Sequence, residues 1–325
     1  MTDPARPFAG PDPKFLAIMA WNQRWTERQK SCALAEQAKA LSSTDGQQDR
    51  ATIASALRTL AWQAKWRGDF DTTAQLCMRG KRYASRTSSP YILADLYSLL
   101  GVVHYSAGRR DIASNMVKRG FELLDAGAPP ETRVDLLVTR STVLRYRGRL
   151  SEARGALASA RDLAEGIESA RVEHNYARML NHEGAHAEAA MLGEKALAVA
   201  ESAQAAVLLP YIYEVLGTSL IALDSLERAV VILEKGLDVA RAGHDLRAQC
   251  QILNQYGIAA KKLGDIDAAT KALSDGIGLA TEMGYSLWKR AFAVALGELY
   301  ETQGAYRDAA EAYKTALELQ ENIRD

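Results

Sequence analysis

One string in the chain has the letters of a hydrolytic metal site: His182-Glu183-Gly184-Ala185-His186. Two histidines four apart on an unbroken helix share one face, where both imidazoles bind zinc while the glutamate between them acts as general base. The middle residue, Gly184, falls where the pattern described below calls for a turn between two antiparallel helices. The geometry therefore fails, and no metal site is expected. Other chemical motifs are incomplete. Gly80-Lys81 lacks both the following Ser or Thr and the upstream glycine of a phosphate loop. Gly276 and Gly278 lack the third glycine and the preceding strand of a dinucleotide site. His104, His174 and His244 fall one per repeat unit. The three cysteines, Cys32, Cys77 and Cys250, are far apart, with no CxxC. The expectation is a non-enzymatic protein with no catalytic residue, no metal and no cofactor.

Elements must then position whatever surface does the work. The chain has 325 residues with 40 basic and 40 acidic side chains, a neutral balance that argues against a general nucleic-acid binder or a polybasic membrane-surface protein. A 25% charged and 48% apolar composition is that of a globular chain. Four of its eight prolines precede residue 14, so 1–13 reads as a flexible Pro-rich segment and the remainder is nearly free of helix breakers. No apolar run approaches the roughly 18 residues of a membrane span, and a cytoplasmic location with no membrane partner is expected.

Short turn phrases recur at Gly68, Gly108, Gly148, Gly184, Asp224, Gly264 and Gly304, spaced by 40, 40, 36, 40, 40 and 40 residues. Seven before each lies a small residue: Ala61, Gly101, Ser141, Ala177, Gly217, Gly257, Gly297. Five after lie Thr73, Ala113, Ala153, Ala189, Ala229, Ala269 and Ala309, and twelve after lie Gly80, Gly120, Ala160, Ala196, Gly236, Gly276 and Ala316. Small side chains at fixed places let antiparallel helices approach closely. An acid three or four after each anchor (Asp71, Asp111, Glu152, Glu188, Glu227, Asp267, Asp308) belongs in the first turn of a second helix, where it complements the dipole. Pro90 and Pro130 lie 18 before an anchor, at a helix start, whereas Pro210 lies only 14 before Asp224, so that helix should start late or kink.

This layout resembles the tetratricopeptide repeat (TPR), in Leu100-Gly101, Leu216-Gly217, Tyr256-Gly257 and Leu296-Gly297 and in Phe70, Leu150, Leu226, Ile266 and Tyr306 after the turn. Arg110 and His186 depart from the pattern, as does the 40-residue period against the usual value of about 34. HEAT repeats share the longer period, but the small-residue signature favours the tetratricopeptide reading. Residues 14–41 read as a degenerate first unit whose phrase AWNQRWTERQKSCALAEQAKAL is similar to the first unit of tetratricopeptide sensor regions ahead of bacterial diguanylate cyclases, although no Gly-Gly-Asp/Glu-Glu-Phe signature occurs. With 42–50 as a polar connector, the resemblance implies one all-α domain over 14–325, a right-handed α-solenoid of about eight TPR-like hairpins and about sixteen helices.

By that resemblance the first helices line a concave groove. Its expected partner-binding positions are Arg58, Trp62, Lys65, Tyr105, Arg145, Arg171, His174, Arg178, Asn181, Tyr211, Asn254 and Lys261. Arg171, His174 and Arg178 are spaced to form one basic stripe, and arginine pairs bidentately with carboxylates. The expected partner is a protein or peptide of acidic character, in bacterial signalling. The alternative is a ligand-gated regulatory region of a longer signalling protein, with a diguanylate cyclase or transcription-regulator output. Tyr313, Leu317 and Leu319 on the last helix are expected to form a C-terminal interface, for a homodimer or an output domain.

Overall fold

The computed structural model describes residues 11–43, 49–86, 90–284 and 286–321, with only the backbone described at 286–287 and 319–321. Residues 1–10 of the Pro-rich segment and 44–48 of the polar connector therefore lie outside the described residues. Among the described residues there are sixteen α-helices and no strand. They are α1 (Pro13–Asn22), α2 (Arg28–Leu41), α3 (Arg50–Arg67), α4 (Phe70–Ala84), α5 (Pro90–Ser106), α6 (Arg110–Phe121), α7 (Pro130–Tyr146) and α8 (Leu150–Arg161). Then follow α9 (Gly166–Glu183), α10 (His186–Ser202), α11 (Leu209–Ala222), α12 (Leu226–Ala242), α13 (Leu246–Leu263), α14 (Ile266–Glu282), α15 (Ser286–Thr302) and α16 (Tyr306–Glu321). Asp12 and Pro13 open α1: the Asp12 carboxylate accepts from the Lys14 N–H at 3.0 Å.

The chain separates into two compact units. One contains the described residues up to Val172 together with Ala203–Val207; the other contains Glu173–Ser202 and the described residues from Leu208 onward. In the first, α3 packs on α1, α5 on α3 and α7 on α5, each hairpin also packing its second helix on the next first helix. In the second, α13 packs on α11 and α15 on α13 in the same way. Among the described residues no second helix packs on another second helix. The first helices thus take the inner side of each unit.

The small residues do what their spacing implies. A Cβ on Gly101 would lie 3.1 Å from Val117, and one on Gly257 would lie 2.9 Å from Leu273, across a hairpin. A Cβ on Gly80 would lie 3.0 Å from Leu96, in the next hairpin's first helix. All seven anchors take left-handed backbone, six as glycine and one as Asp224 at φ 58°. A non-glycine residue carries a steric cost in that region. A second left-handed series, Gln204, His244 and Gly284, recurs at the same 40-residue interval after the second helices, with φ of 51°, 49° and 66°. The repeat acids lie in the first turns of α4, α6, α8, α10, α12, α14 and α16. Pro210 sits in the first turn of α11, which begins late, at Leu209.

Candidate functional site

The inner face of the first unit begins with spacing on α3. Arg58, Trp62 and Trp66 recur four apart, so they stand on one side of the helix. The short α1 ends at Asn22, and the turn that follows carries Arg24 and Trp25 onto that side. Trp25 stacks edge-on to Trp62 with centroids 4.5 Å apart and to Trp66 at 5.3 Å; Trp21 lies 6.5 Å from Trp62. The Trp21 indole receives two guanidiniums, Arg58 at 3.7 Å and Arg24 at 4.0 Å from its centroid. Ring faces attract cations most strongly where water is excluded, and all four indoles are buried.

Charges then close the unit on itself. Glu168, in the first turn of α9, accepts from Trp25 Nε1 at 3.1 Å and from Arg24 Nη2 at 3.0 Å with one oxygen, and from Arg171 Nε at 2.7 Å with the other. Arg171 reaches back to Asp135 on α7 at 2.7 Å, and Arg58 pairs with Asp95 on α5 at 2.8 Å. The Val207 N–H donates to the Trp25 carbonyl at 3.2 Å, fixing the N-terminal turn from another side. Burial pushes the Glu168 carboxyl up, but Arg171 and Arg24 outweigh it and hold the group below its ordinary value. Burial likewise opposes the Arg171 charge, and Asp135 and Glu168 more than restore it. Asp95 is different: burial raises it to about 6, against the opposing pull of Arg58. Three arginines and three carboxylates thus share one dry compartment, which charges occupy only when paired.

This revises the groove expected in the first unit. Arg58, Trp62 and Arg171 do stand on the inner face, but the N-terminal turn covers them and both arginines pair with the protein's own acids. The reason is α1 itself: its short length lets the following turn fold inward. Lys65 remains half-buried over the Trp66 ring at 3.8 Å, and Arg145 lies over Tyr146, which stacks on Tyr105 at 4.5 Å.

In the second unit, His174 and Tyr211 are buried rather than presented to a ligand, the Tyr211 hydroxyl donating towards the Asp245 carboxylate at 3.2 Å. Arg178 pairs with Glu214 at 2.9 Å and Lys261 with Glu298 at 3.9 Å. Asn181 donates to the Val215 carbonyl at 3.1 Å and accepts from Ser219 at 3.0 Å, binding α9 to α11. Asn254 is half-buried on α13. On α16, Leu317 is 63% exposed, whereas the Tyr313 ring packs where Gly297 leaves room and its hydroxyl donates to Glu301 at 3.1 Å. The Leu319 side chain lies outside the described residues. The HExxH string is broken as expected: α9 ends at Glu183, Gly184 has φ 82°, and His186 opens α10. Burial pushes the Cys77 and Cys250 thiols up, so neither offers a thiolate at neutral pH.

Sequence reasoning missed Trp21, Arg24, Trp25, Trp66 and Glu168 as members of the cluster, while Asp95 and Asp135 stood among the expected groove positions. One signal was present, since four of the five tryptophans fall between residues 21 and 66.

A fold of sixteen helices in antiparallel hairpins with small-residue contacts is that of tetratricopeptide proteins. Residues 292–323 match the family model for the tetratricopeptide repeat. No curated protein matches the chain. Among solved structures it is similar to a Rap protein complexed with competence and sporulation factor, at 14% identity and TM-score 0.67 over 96% of this chain and 98% of the other. It is similar to the Rap conjugation gene regulator of plasmid pLS20 in complex with the Phr peptide, at 14% identity and TM-score 0.66 over 97% of each. It is also similar to the APC/C hetero-tetramer Cut9–Hcn1, at 16% identity and TM-score 0.68 over 97% of this chain and 55% of that one. At these identities the likeness is one of fold. Among the described residues, no helix is long and apolar enough to cross a membrane.

Proposed function

We propose that the chain is a non-enzymatic protein- or peptide-binding scaffold in bacterial signalling, working through the first-helix faces. The observation that carries this reading is the state of the inner-face cations in the second unit. Arg178 and Lys261 keep side-chain exposures of 28% and 35% and, among the described residues, are each held by a single acid, Glu214 and Glu298. Partly exposed pairs contribute about 0–1 kcal/mol, so a ligand carboxylate can replace the protein's own at little cost. That exchange favours an acidic peptide. Solved proteins of this fold bound to a factor and to a peptide support the same use. Titrating a labelled acidic peptide library against the chain tests it. Arg178→Glu with Lys261→Glu should abolish capture while helical content stays unchanged; equal capture by the double variant rejects the site.

A second reading, a ligand-gated region feeding a diguanylate cyclase or transcription-regulatory output, is favoured by the exposed Leu317 on α16, which suits docking onto such a domain or a second copy of the chain. Light scattering of wild type against Leu317→Lys, with the reading frame beyond Asp325, tests it.

A further inference from the structure

Away from both inner faces, the end of α4 and the start of α3 enclose a hollow of about 400 Å³ lined by Arg50, Arg79, Arg82, Tyr83, Ser85 and Arg86. Arg79 and Arg82 stand three apart on the last turns of α4 and Arg86 lies in the turn just beyond it, so one helix end supplies three guanidiniums. Arg50 comes from the antiparallel neighbour and completes the ring. Among the described residues none of the four arginines forms an ion pair. Elsewhere, exposed cations such as Arg149 and Arg228 pair with Glu152 and Glu194.

Two further facts set the cluster apart from ordinary surface charge. Cations in the last turn of α4 complement its dipole, but Arg50 is the first residue of α3, the end where a positive charge is disfavoured. Asp49, the adjacent acid, is committed elsewhere: it accepts from the Ala51 and Thr52 N–H groups at 3.1 and 3.2 Å and from the Thr52 hydroxyl at 2.5 Å. Four like charges therefore converge on one hollow in a chain whose net charge is zero, with no counter-charge paired to them among the described residues. Guanidiniums recognise phosphate through paired N–H donors, and Ser85 adds a hydroxyl. The hollow has the volume of a small-molecule pocket, and Tyr83 offers one flat ring. A nucleic acid strand is matched by an extended basic stripe instead.

We propose that this hollow is a binding site for a soluble ligand carrying two or more adjacent phosphate groups. The full chain is titrated calorimetrically with inorganic pyrophosphate, ATP and orthophosphate at one ionic strength, and sedimented with vesicles containing a phosphoinositide. Pyrophosphate and ATP should bind at least about tenfold more tightly than orthophosphate, as expected when several guanidiniums engage one anion. Arg79→Gln with Arg82→Gln should remove that preference, and Arg228→Gln should keep it. If the double variant loses helical signal, Arg86→Gln, in the turn beyond α4, takes its place. Equal affinity for pyrophosphate and orthophosphate overturns the proposal, as does unchanged binding by the variants. Binding to the vesicles without binding to soluble polyphosphates also overturns it, by assigning the patch to a lipid surface.

Discussion

Replacing Glu168 by Gln removes one charge and almost no volume, and it does so at the point where the first unit closes. At an effective dielectric of ~20, each guanidinium contact, at 3.0 Å to Arg24 and 2.7 Å to Arg171, is an attraction of roughly 6 kcal/mol. Desolvation of the ions offsets most of it. After the substitution Arg171 still has Asp135, but Arg24 is left with the Trp21 carbonyl, at 2.9 Å, and the indole faces. The expected loss is therefore that of stranding one buried charge, about 3 kcal/mol at the low end of the range for broken buried pairs. Four of the five tryptophans sit in this cluster, so urea unfolding followed by indole emission reads the first unit almost alone. The emission should shift to the red and its transition to lower urea. Acidity supplies a second arm. A carboxyl held below its ordinary value stabilises the fold above that ordinary value and loses its contribution as pH falls through the lowered one. Wild type and variant should then converge in acid. A transition within about 0.5 kcal/mol of wild type at neutral pH, with unshifted emission, would refute the closure argument.

Asp95 carries the opposite sign: its carboxyl, raised to about 6, holds its proton more tightly when folded, so its contribution falls as pH rises from 3.8 through about 6. Stability of wild type minus Asp95→Asn should drop by on the order of 2–3 kcal/mol between about pH 4 and pH 7, measured by urea unfolding. Gly257→Leu places a side chain against Leu273, and it should cost about 1–3 kcal/mol, with hydrogen-exchange protection lost around α13 and α14 rather than throughout the chain. Asp224→Gly relieves a left-handed residue at φ 58° and should raise thermal stability by about 0.5–1 kcal/mol, a sign that calorimetry determines.

The fold was legible because close helix approach is decided locally: a glycine and the side chain it admits lie 16 residues apart, as with Gly257 and Leu273, and the spacing repeats. The anchors were legible for a similar reason, glycine being the residue that takes left-handed backbone freely. The second left-handed series escaped because Gln204 and His244 give no such signal, the tertiary context holding them where their type does not. Offsets from the anchors also put Arg58, Trp62 and Arg171 among the expected inner-face positions. What they could not show is whether that face is open. The turn that covers it meets Glu168 and Val207 across 143 and 182 residues, and no local pattern encodes such a meeting. The pairing of inner-face charges was partly readable: Arg58–Asp95 and Arg178–Glu214 lie 37 and 36 residues apart, one 40-residue repeat less about a helical turn, and Asp135–Arg171 lie 36 apart, the one shortened repeat.

The closure of Trp25 onto Glu168 also sets an order of events during synthesis. Hairpins that pack only on neighbours can form as they leave the ribosome, because each contact partner is a few seconds old at most. Trp21 and Trp25 cannot complete their burial that way. Their turn emerges first, yet the carboxylate that captures it follows 143 residues later. At roughly 5–20 residues per second that is an interval of about 7–30 s. Throughout it, the nascent chain carries a cluster of unsheltered indoles and arginines, an aromatic surface on which chaperones or a second nascent copy can act. The contacts that close the N-terminal turn are thus also the latest in the first unit, Glu168 arriving first and Val207 after it.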